Sequence, residues 1–280
     1  MREFHVVGIL PSEVARENYR INSMKLEDIA TYPSLENRVV VITGGGSGIG
    51  ASIVERFCEQ GSKVYFVDND EVASRNLVEE IARRGENTPH FIYCDVCNIA
   101  DLQSVIKSII DSSGRIRILV NNAARDDRHS IDEVTPDYFD ERISVNMRHH
   151  FFAAQSVIGG MKSAGGGSII NMGSVSWMIG SVNMPVYLTA KSAIAGLTRA
   201  LARELGPYNI RVNSILPGWI MTDRQKELWL TPEGEAELMQ RQCLKRKLEP
   251  DEIAKIVLFF SSDDSGICTN QNFIADGGWA

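Results

Sequence analysis

The stretch Val39-Val40-Val41-Ile42-Thr43-Gly44-Gly45-Gly46-Ser47-Gly48-Ile49-Gly50 decides the fold. Four β-branched residues in a row suit a strand buried on both faces. Glycines follow at once, and a helical pattern runs from Ile49 to Gln60, where Gly61 stops it. A strand that turns on glycines into a helix brings backbone N–H groups close to a ligand above the turn. The start of the helix adds a field that favours an anion. The spacing is nearer Gly-x-x-x-Gly-x-Gly, although Gly46-x-Gly48-x-x-Ala51 also fits the Gly-x-Gly-x-x-Gly/Ala form. A pyrophosphate suits this turn, with Gly44, Ser47, Gly48, Ile49 and Gly50 around it.

The alternation continues outward. Strand-like runs at 63–67, 90–93, 116–120, 168–172, 210–215 and 272–275 alternate with helical patterns at 71–84, 102–110, 136–147, 150–162, 186–205 and 251–260. Apolar strands separated by helices imply a parallel sheet covered on both faces, and right-handed crossovers wind it in both directions. The expected fold is therefore α/β: a single Rossmann-type doubly wound parallel sheet of about seven strands. Residues 37–280 form the expected domain, with a substrate loop and lid over 217–250. Residues 1–36 mix Pro11, Pro33, charges and short apolar pieces, and read as an N-terminal extension. Met24 is an alternative to Met1 as the start.

Asp68 ends the second strand, in Phe66-Val67-Asp68-Asn69. A carboxylate there accepts hydrogen bonds from ribose hydroxyls and repels a 2′-phosphate. Its neighbours Ser47, Asn69 and Asp70 offer no cationic clamp. This favours NAD over NADP; the other reading of Asp68 is a cap for the following helix.

The formal charge of −7 argues against nucleic acid or an anionic membrane as the main partner. No apolar run approaches the ~20 residues that span a bilayer. Glu3 and His5 spoil a secretory signal, so a cytoplasmic location is expected. Five cysteines leave an odd number, and Cys94-x-x-Cys97 has no second pair to complete a zinc site. No metal is expected.

Tyr187 and Lys191 are four residues apart in a helical pattern, and Ser174 lies thirteen residues before the tyrosine. Positions i and i+4 share a helix face. A tyrosine with an ordinary pKa of about 10 becomes a useful base near neutrality only if it is held down by about 4 kcal/mol, which an adjacent ammonium can supply.

Together these elements resemble the short-chain dehydrogenase/reductases. The resemblance covers 38–280 and includes the glycine turn, Asp95-Val96 after the third strand, Asn121-Asn122-Ala123-Ala124 after the fourth, Asn146, Ser174, Tyr187, Lys191 and Pro217-Gly218. Ala124 stands where glycine is usual. The resemblance implies that Asp95 and Val96 meet the adenine, that Asn122 lies along the ribose, and that Ile220 and Thr222 bond the nicotinamide amide. It also implies that Tyr187 is the general base, that Lys191 tunes it and bonds the ribose, that Ser174 donates to the substrate oxygen, and that Asn146 holds a water on the proton's way out. A homo-oligomer, dimer or tetramer, is implied as well.

The segments outside the shared motifs point to a polyhydroxylated small molecule. Arg125-Asp126-Asp127-Arg128-His129, Ser176-Trp177, Arg224-Gln225-Lys226 and Trp229 offer charges, amides and indoles. Thr231-Pro232-Glu233 reads as a helix start, which makes 233–241 a lid helix. Within the family these segments are similar to the bacterial sugar 1-dehydrogenases of the D-xylose type, which implies oxidation of a cyclic aldose at its anomeric hydroxyl to an aldonolactone. Two alternatives remain open: a 3-oxoacyl carrier-protein or small ketone reductase, and a non-catalytic dinucleotide-binding scaffold.

Overall fold

The β-branched run becomes β1 (Val39–Thr43), the middle of a seven-stranded sheet. The structure, a computed structural model, describes residues 30–280. Around β1 lie β2 (Lys63–Asp68), β3 (His90–Tyr93), β4 (Ile118–Asn121), β5 (Gly167–Met172), β6 (Ile210–Pro217) and β7 (Asn272–Ala275). Their order is β3-β2-β1-β4-β5-β6-β7, with every neighbouring pair parallel. The chain builds outward from β1 to β3, then returns to start β4 on the other side of β1. The crevice beyond the carboxyl ends of β1 and β4 is thus the switch point of the sheet, where ligands of such folds bind.

Alternate residues of β1 serve opposite faces, as the two-residue period of a strand requires. Val40 and Ile42 join one core with Phe57 of α1 (Gly48–Glu59), Leu77 of α2 (Glu71–Arg83) and Val257 of the last helix. Val39 and Val41 join the other core. Its helices are α3 (Ile99–Ser113), through Leu102 and Ile106, the segment carrying Ala153 and Val157, and the long helix carrying Leu201. Both faces are therefore sealed, which is why the strands read as continuous apolar runs.

Helix α4 (Pro136–Ile143) passes through a π-helical turn, Ser144–Arg148, directly into α5 (His149–Ser163). The sequence pattern suggested two separate helices; the break between them is the π turn, and Asn146 sits in it, fully buried. Then come α6 (Pro185–Leu205), α7 (Asp223–Leu228), α8 (Pro232–Arg241) and α9 (Pro250–Ser261). Helix α7 carries no apolar periodicity and is absent from the sequence reading. Thr222 caps it by accepting from Gln225 N, and Thr231 caps α8 by accepting from Gly234 N at 3.1 Å.

Tyr32–Ala280 forms one unit. Leu35 is fully buried against the first core, and its carbonyl accepts from Ser62 Oγ at 2.8 Å, so the packed chain begins before residue 37. The rest of the expected extension, with Met1 and Met24, lies outside the described residues. Among the described residues no helix is long and apolar enough to cross a membrane.

Candidate active site

At the end of β1 the chain needs room. Gly44 has φ +67°, and a Cβ there would lie 2.7 Å from Ala123 Cα. A Cβ on Gly50 would run into the Gly44 carbonyl and lie 2.7 Å from Asn122 Nδ2. The turn is thus pressed against the loop after β4. Asn122 Nδ2 donates to Gly44 O at 2.7 Å, and Thr43 Oγ1 accepts from the N–H groups of Asn122 and Ala123. The Ser47 side chain makes no capping bond, so the amides opening α1 keep their donors for a ligand. Asp68 accepts from Gly46 N at 2.8 Å and from Asp70 N at 2.9 Å. The cap of α2 is Asp70, which accepts from Ala73 N; Asp68 is therefore not the cap. An uncapped helix start, glycines where a Cβ would collide, and a partly exposed carboxylate 22 residues on fit a dinucleotide.

The other expected residues fall around this crevice. Asp95 lies two residues beyond β3 and accepts from Cys97 N, while Val96 is buried beside it. Asn69 and Ser47 are exposed. Gly48, at φ +55°, faces Thr222, whose methyl would lie 3.0 Å from an added Cβ. Ile220 is buried and bridged to Leu248. Segment 217–222 after β6 therefore stands over the start of α1.

Tyr187 and Lys191 share a face of α6. The Lys191 ammonium lies 5.7 Å from the centre of the Tyr187 ring and donates to Met172 O at 2.7 Å. That second bond ties it to the end of β5, two residues before Ser174. Ser174 Oγ lies 2.7 Å from Ser176 Oγ and accepts from Ser176 N. Burial drives both charged forms down. It raises the Tyr187 phenol well above its ordinary value, with Asp126 adding to the rise and the Ser174 hydrogen bond and Arg128 opposing it. It lowers the Lys191 ammonium to about 7, with Asp126 opposing the fall. Desolvation is the largest influence on both groups.

Asn146 is also more committed than expected. Its Oδ1 accepts from Arg125 N, and its Nδ2 donates to Arg142 O, both at 2.9 Å. The amide locks the loop after β4 to the π turn. Below it, His149 and His150 are buried and held neutral by desolvation, His149 down at about 3. His149 Nε2 lies 3.0 Å from Ala123 O and steadies the same loop.

The loop after β4 is tied to α7. Arg224 bonds Asp127 at 2.6 Å, and Gln225 bridges Asp126 (2.7 Å) and Trp219 Nε1 (2.9 Å). The Arg128 guanidinium lies 5.1 Å from the Trp229 ring centre. Asp127 also pairs with Arg125 and with Arg142, a buried arginine that the sequence reading missed. Burial works against the Asp127 carboxylate, but Arg125, Arg142 and Arg224 together hold its pKa low. His129 is buried and faces the start of α6, away from the open mouth. Cys94 and Cys97 are thiols whose pKa values burial pushes up to about 11, and no metal-binding cluster occurs among the described residues.

A nucleotide-binding turn at the switch point, facing a Ser-Tyr-Lys set whose lysine is buried, defines a class. Residues 44–280 match the family model described as enoyl-(acyl carrier protein) reductase, and the chain belongs to the short-chain dehydrogenase/reductase family of nicotinamide-dinucleotide oxidoreductases. Within it, the chain is similar to D-xylose 1-dehydrogenase of Caulobacter vibrioides, at 48% identity over 89% of this chain and 98% of the relative. It is similar to a probable galactose dehydrogenase of Rhizobium meliloti at 47%, over 88% and 96%. Among solved structures it resembles the Thermoplasma acidophilum aldohexose dehydrogenase in ligand-free form. There the TM-score is 0.78 and the identity 29%, over 89% of this chain and 96% of the other.

Proposed function

We propose that this protein is an NAD-dependent aldose 1-dehydrogenase that oxidises the anomeric hydroxyl of a cyclic pentose or hexose to the aldonolactone. The observation that carries the reading is the mouth itself. Asp126, Gln225, Arg224 and Arg128 converge beside Tyr187 with two tryptophans, a lining suited to hydroxyl groups and the apolar face of a pyranose. The near-full-length similarity to proteins named for D-xylose and galactose supports the substrate class.

The bound dinucleotide supplies the hydride acceptor. Asp68 orients its adenosine ribose, and the amides opening α1 hold the pyrophosphate. Gly44, Gly48, Ile49 and Gly50 give the approach, with Ser47 and Asn69 at the rim. Asp95 and Val96 border the adenine, Asn122 the ribose, and Ile220 and Thr222 the nicotinamide end. Ser174 Oγ donates to the sugar's anomeric oxygen and fixes it against Tyr187. Tyr187 takes the proton of the anomeric hydroxyl, while the hydrogen on the anomeric carbon would leave as hydride to the dinucleotide. Because burial opposes phenolate, Tyr187 acts as a base only while the Lys191 ammonium beside it is charged; Asp126 favours that lysine proton while raising the phenol. Asn146 acts on the frame, holding the π turn against the loop after β4. A carboxylate at Asp68 whose neighbours Ser47, Asn69 and Asp70 carry no positive charge supports NAD over NADP, and the family resemblance supports a dimer or tetramer.

The test is a panel of pentoses and hexoses with NAD, followed by reduced-dinucleotide absorbance. Turnover of D-xylose or D-galactose with lactone as the product is expected. No turnover of any aldose, together with NADPH consumption on a 3-oxoacyl thioester, contradicts the reading.

A further inference from the structure

The helix that carries Tyr187 and Lys191 begins without a cap of its own. Its N-cap is Met184, which makes no side-chain capping bond, and its first residue is Pro185, which has no N–H. The first amide needing a partner is Val186 N–H, on a residue only 3% exposed. A buried amide with no partner is costly. The partner comes from 57 residues upstream: His129 Nε2 lies 3.3 Å from Val186 N.

The other ring nitrogen fixes the tautomer. His129 Nδ1 lies 3.0 Å from Asp127 O, which can only accept, so the proton belongs on Nδ1 and the lone pair on Nε2. Tyr138 Oη, 2.9 Å from the same Nδ1, adds a second contact there, with the two rings edge-on at 5.0 Å. The positive end of a helix favours an acceptor at this place. The His129 backbone grips the same segment, its N–H donating to Asn183 O at 2.8 Å. Asn183 has φ +60°, a left-handed turn that needs such support. Arg128 Nη1 lies 3.0 Å from Met184 Sδ. Residues 183–186, immediately before the tyrosine, are thus held at both ends by one histidine.

We infer that His129 is a positioning residue: its neutral imidazole caps α6 from outside and fixes Tyr187 where it meets the substrate oxygen. The inference rests on Tyr187 as the base proposed above. A displacement of about 1 Å in a reacting group can lower turnover by about 100-fold, and Tyr187 is the residue next to the capped amide.

Three variants test this. H129L keeps bulk without an acceptor, H129N carries an acceptor too short to reach Val186, and H129Q places a carbonyl near the Nε2 position. The readouts are kcat, KM, NAD affinity by fluorescence titration, and hydrogen exchange of the peptide covering 184–190. H129L is expected to lose kcat by about 10- to 100-fold, with NAD affinity within about twofold of wild type and with faster exchange at 186–188. H129Q is expected to recover most of both the turnover and the protection, and H129N neither. If H129L fails to fold, the H129N and H129Q pair carries the comparison. Wild-type kcat in H129L or H129N, or no recovery in H129Q, overturns the inference. Exchange needs no substrate, so an empty sugar panel and a failed cap are told apart.

Discussion

Replacing Gly50 with alanine tests the nucleotide turn at its tightest point. Gly50 is the third residue of α1, in ordinary helical backbone, so the strain is one of space alone. The new Cβ would overlap Gly44 O and lie 2.7 Å from Asn122 Nδ2 and 2.8 Å from Gly44 C. Reaching an ordinary separation of about 3.5 Å from the Gly44 oxygen requires a shift of more than about 1.5 Å. Neither neighbour yields cheaply. Gly44 is held by its N–H to Val67 O at 2.8 Å and by Asn122 Nδ2 on its carbonyl. Overpacking costs about 1–3 kcal/mol, and the Asn122 hydrogen bond adds about 1 kcal/mol. The expected loss is about 2–4 kcal/mol of stability, with weakened NAD binding because the displaced carbonyl moves the α1 amides. Gly159→Ala is the control, since it lies in α5 with nothing within 4 Å of the added Cβ; it should be neutral or gain up to about 1 kcal/mol. Urea unfolding and a dinucleotide titration read both. Wild-type midpoint and affinity in Gly50→Ala refute the reasoning.

Lys191→Met should raise the melting temperature of the ligand-free protein near pH 6, and the gain should shrink toward pH 10. A lysine held at about 7 in the fold and near 10.5 when unfolded costs stability below pH 7, at most about 5 kcal/mol, and the cost fades as both states lose the proton. The lost bond to Met172 O offsets part of that gain; a difference independent of pH contradicts the shift. Asp127→Ala leaves the buried Arg142 with only Glu141 and unties Arg224, so a loss of about 2–4 kcal/mol is expected in chemical denaturation. A change below about 0.5 kcal/mol removes the network from the account. Asp68→Ser with Asn69→Arg should shift the kcat/KM preference toward NADP, and a wild-type preference for NADP overturns the role given to Asp68.

The sheet and the nucleotide turn were legible because their signals are local. A β-branched run, glycines and helical periodicity all lie within about twenty residues, and Thr231-Pro232 announced α8 through capping chemistry alone. Helix α7 was missed because its six residues carry no apolar face; Thr222-Asp223 was the available signal. The π turn was missed because the pattern showed only two helices, 136–147 and 150–162, with a gap between them; Asn146, inside the turn, bonds across to Arg125, a contact that periodicity does not carry. The stretch 126–129 was read as one cleft-lining unit. Folding divides it: Asp126 and Arg128 stay at the mouth, Asp127 anchors three arginines, and His129 turns inward to Val186. Arg142, Arg224 and Val186 lie 15, 97 and 57 residues from their partners here, distances no windowed pattern reaches. The electrostatics of the pair also escaped. Spacing puts Lys191 beside Tyr187, but only the packing shows that burial is the largest influence on both.

The most direct measurement is single-turnover oxidation of D-xylose or D-galactose by wild type and by Tyr187→Phe, each saturated with NAD whose affinity is measured separately. The account predicts unchanged NAD affinity and a chemical step slowed by orders of magnitude when the phenol oxygen is removed. Oxidation at the wild-type rate by the phenylalanine variant contradicts it.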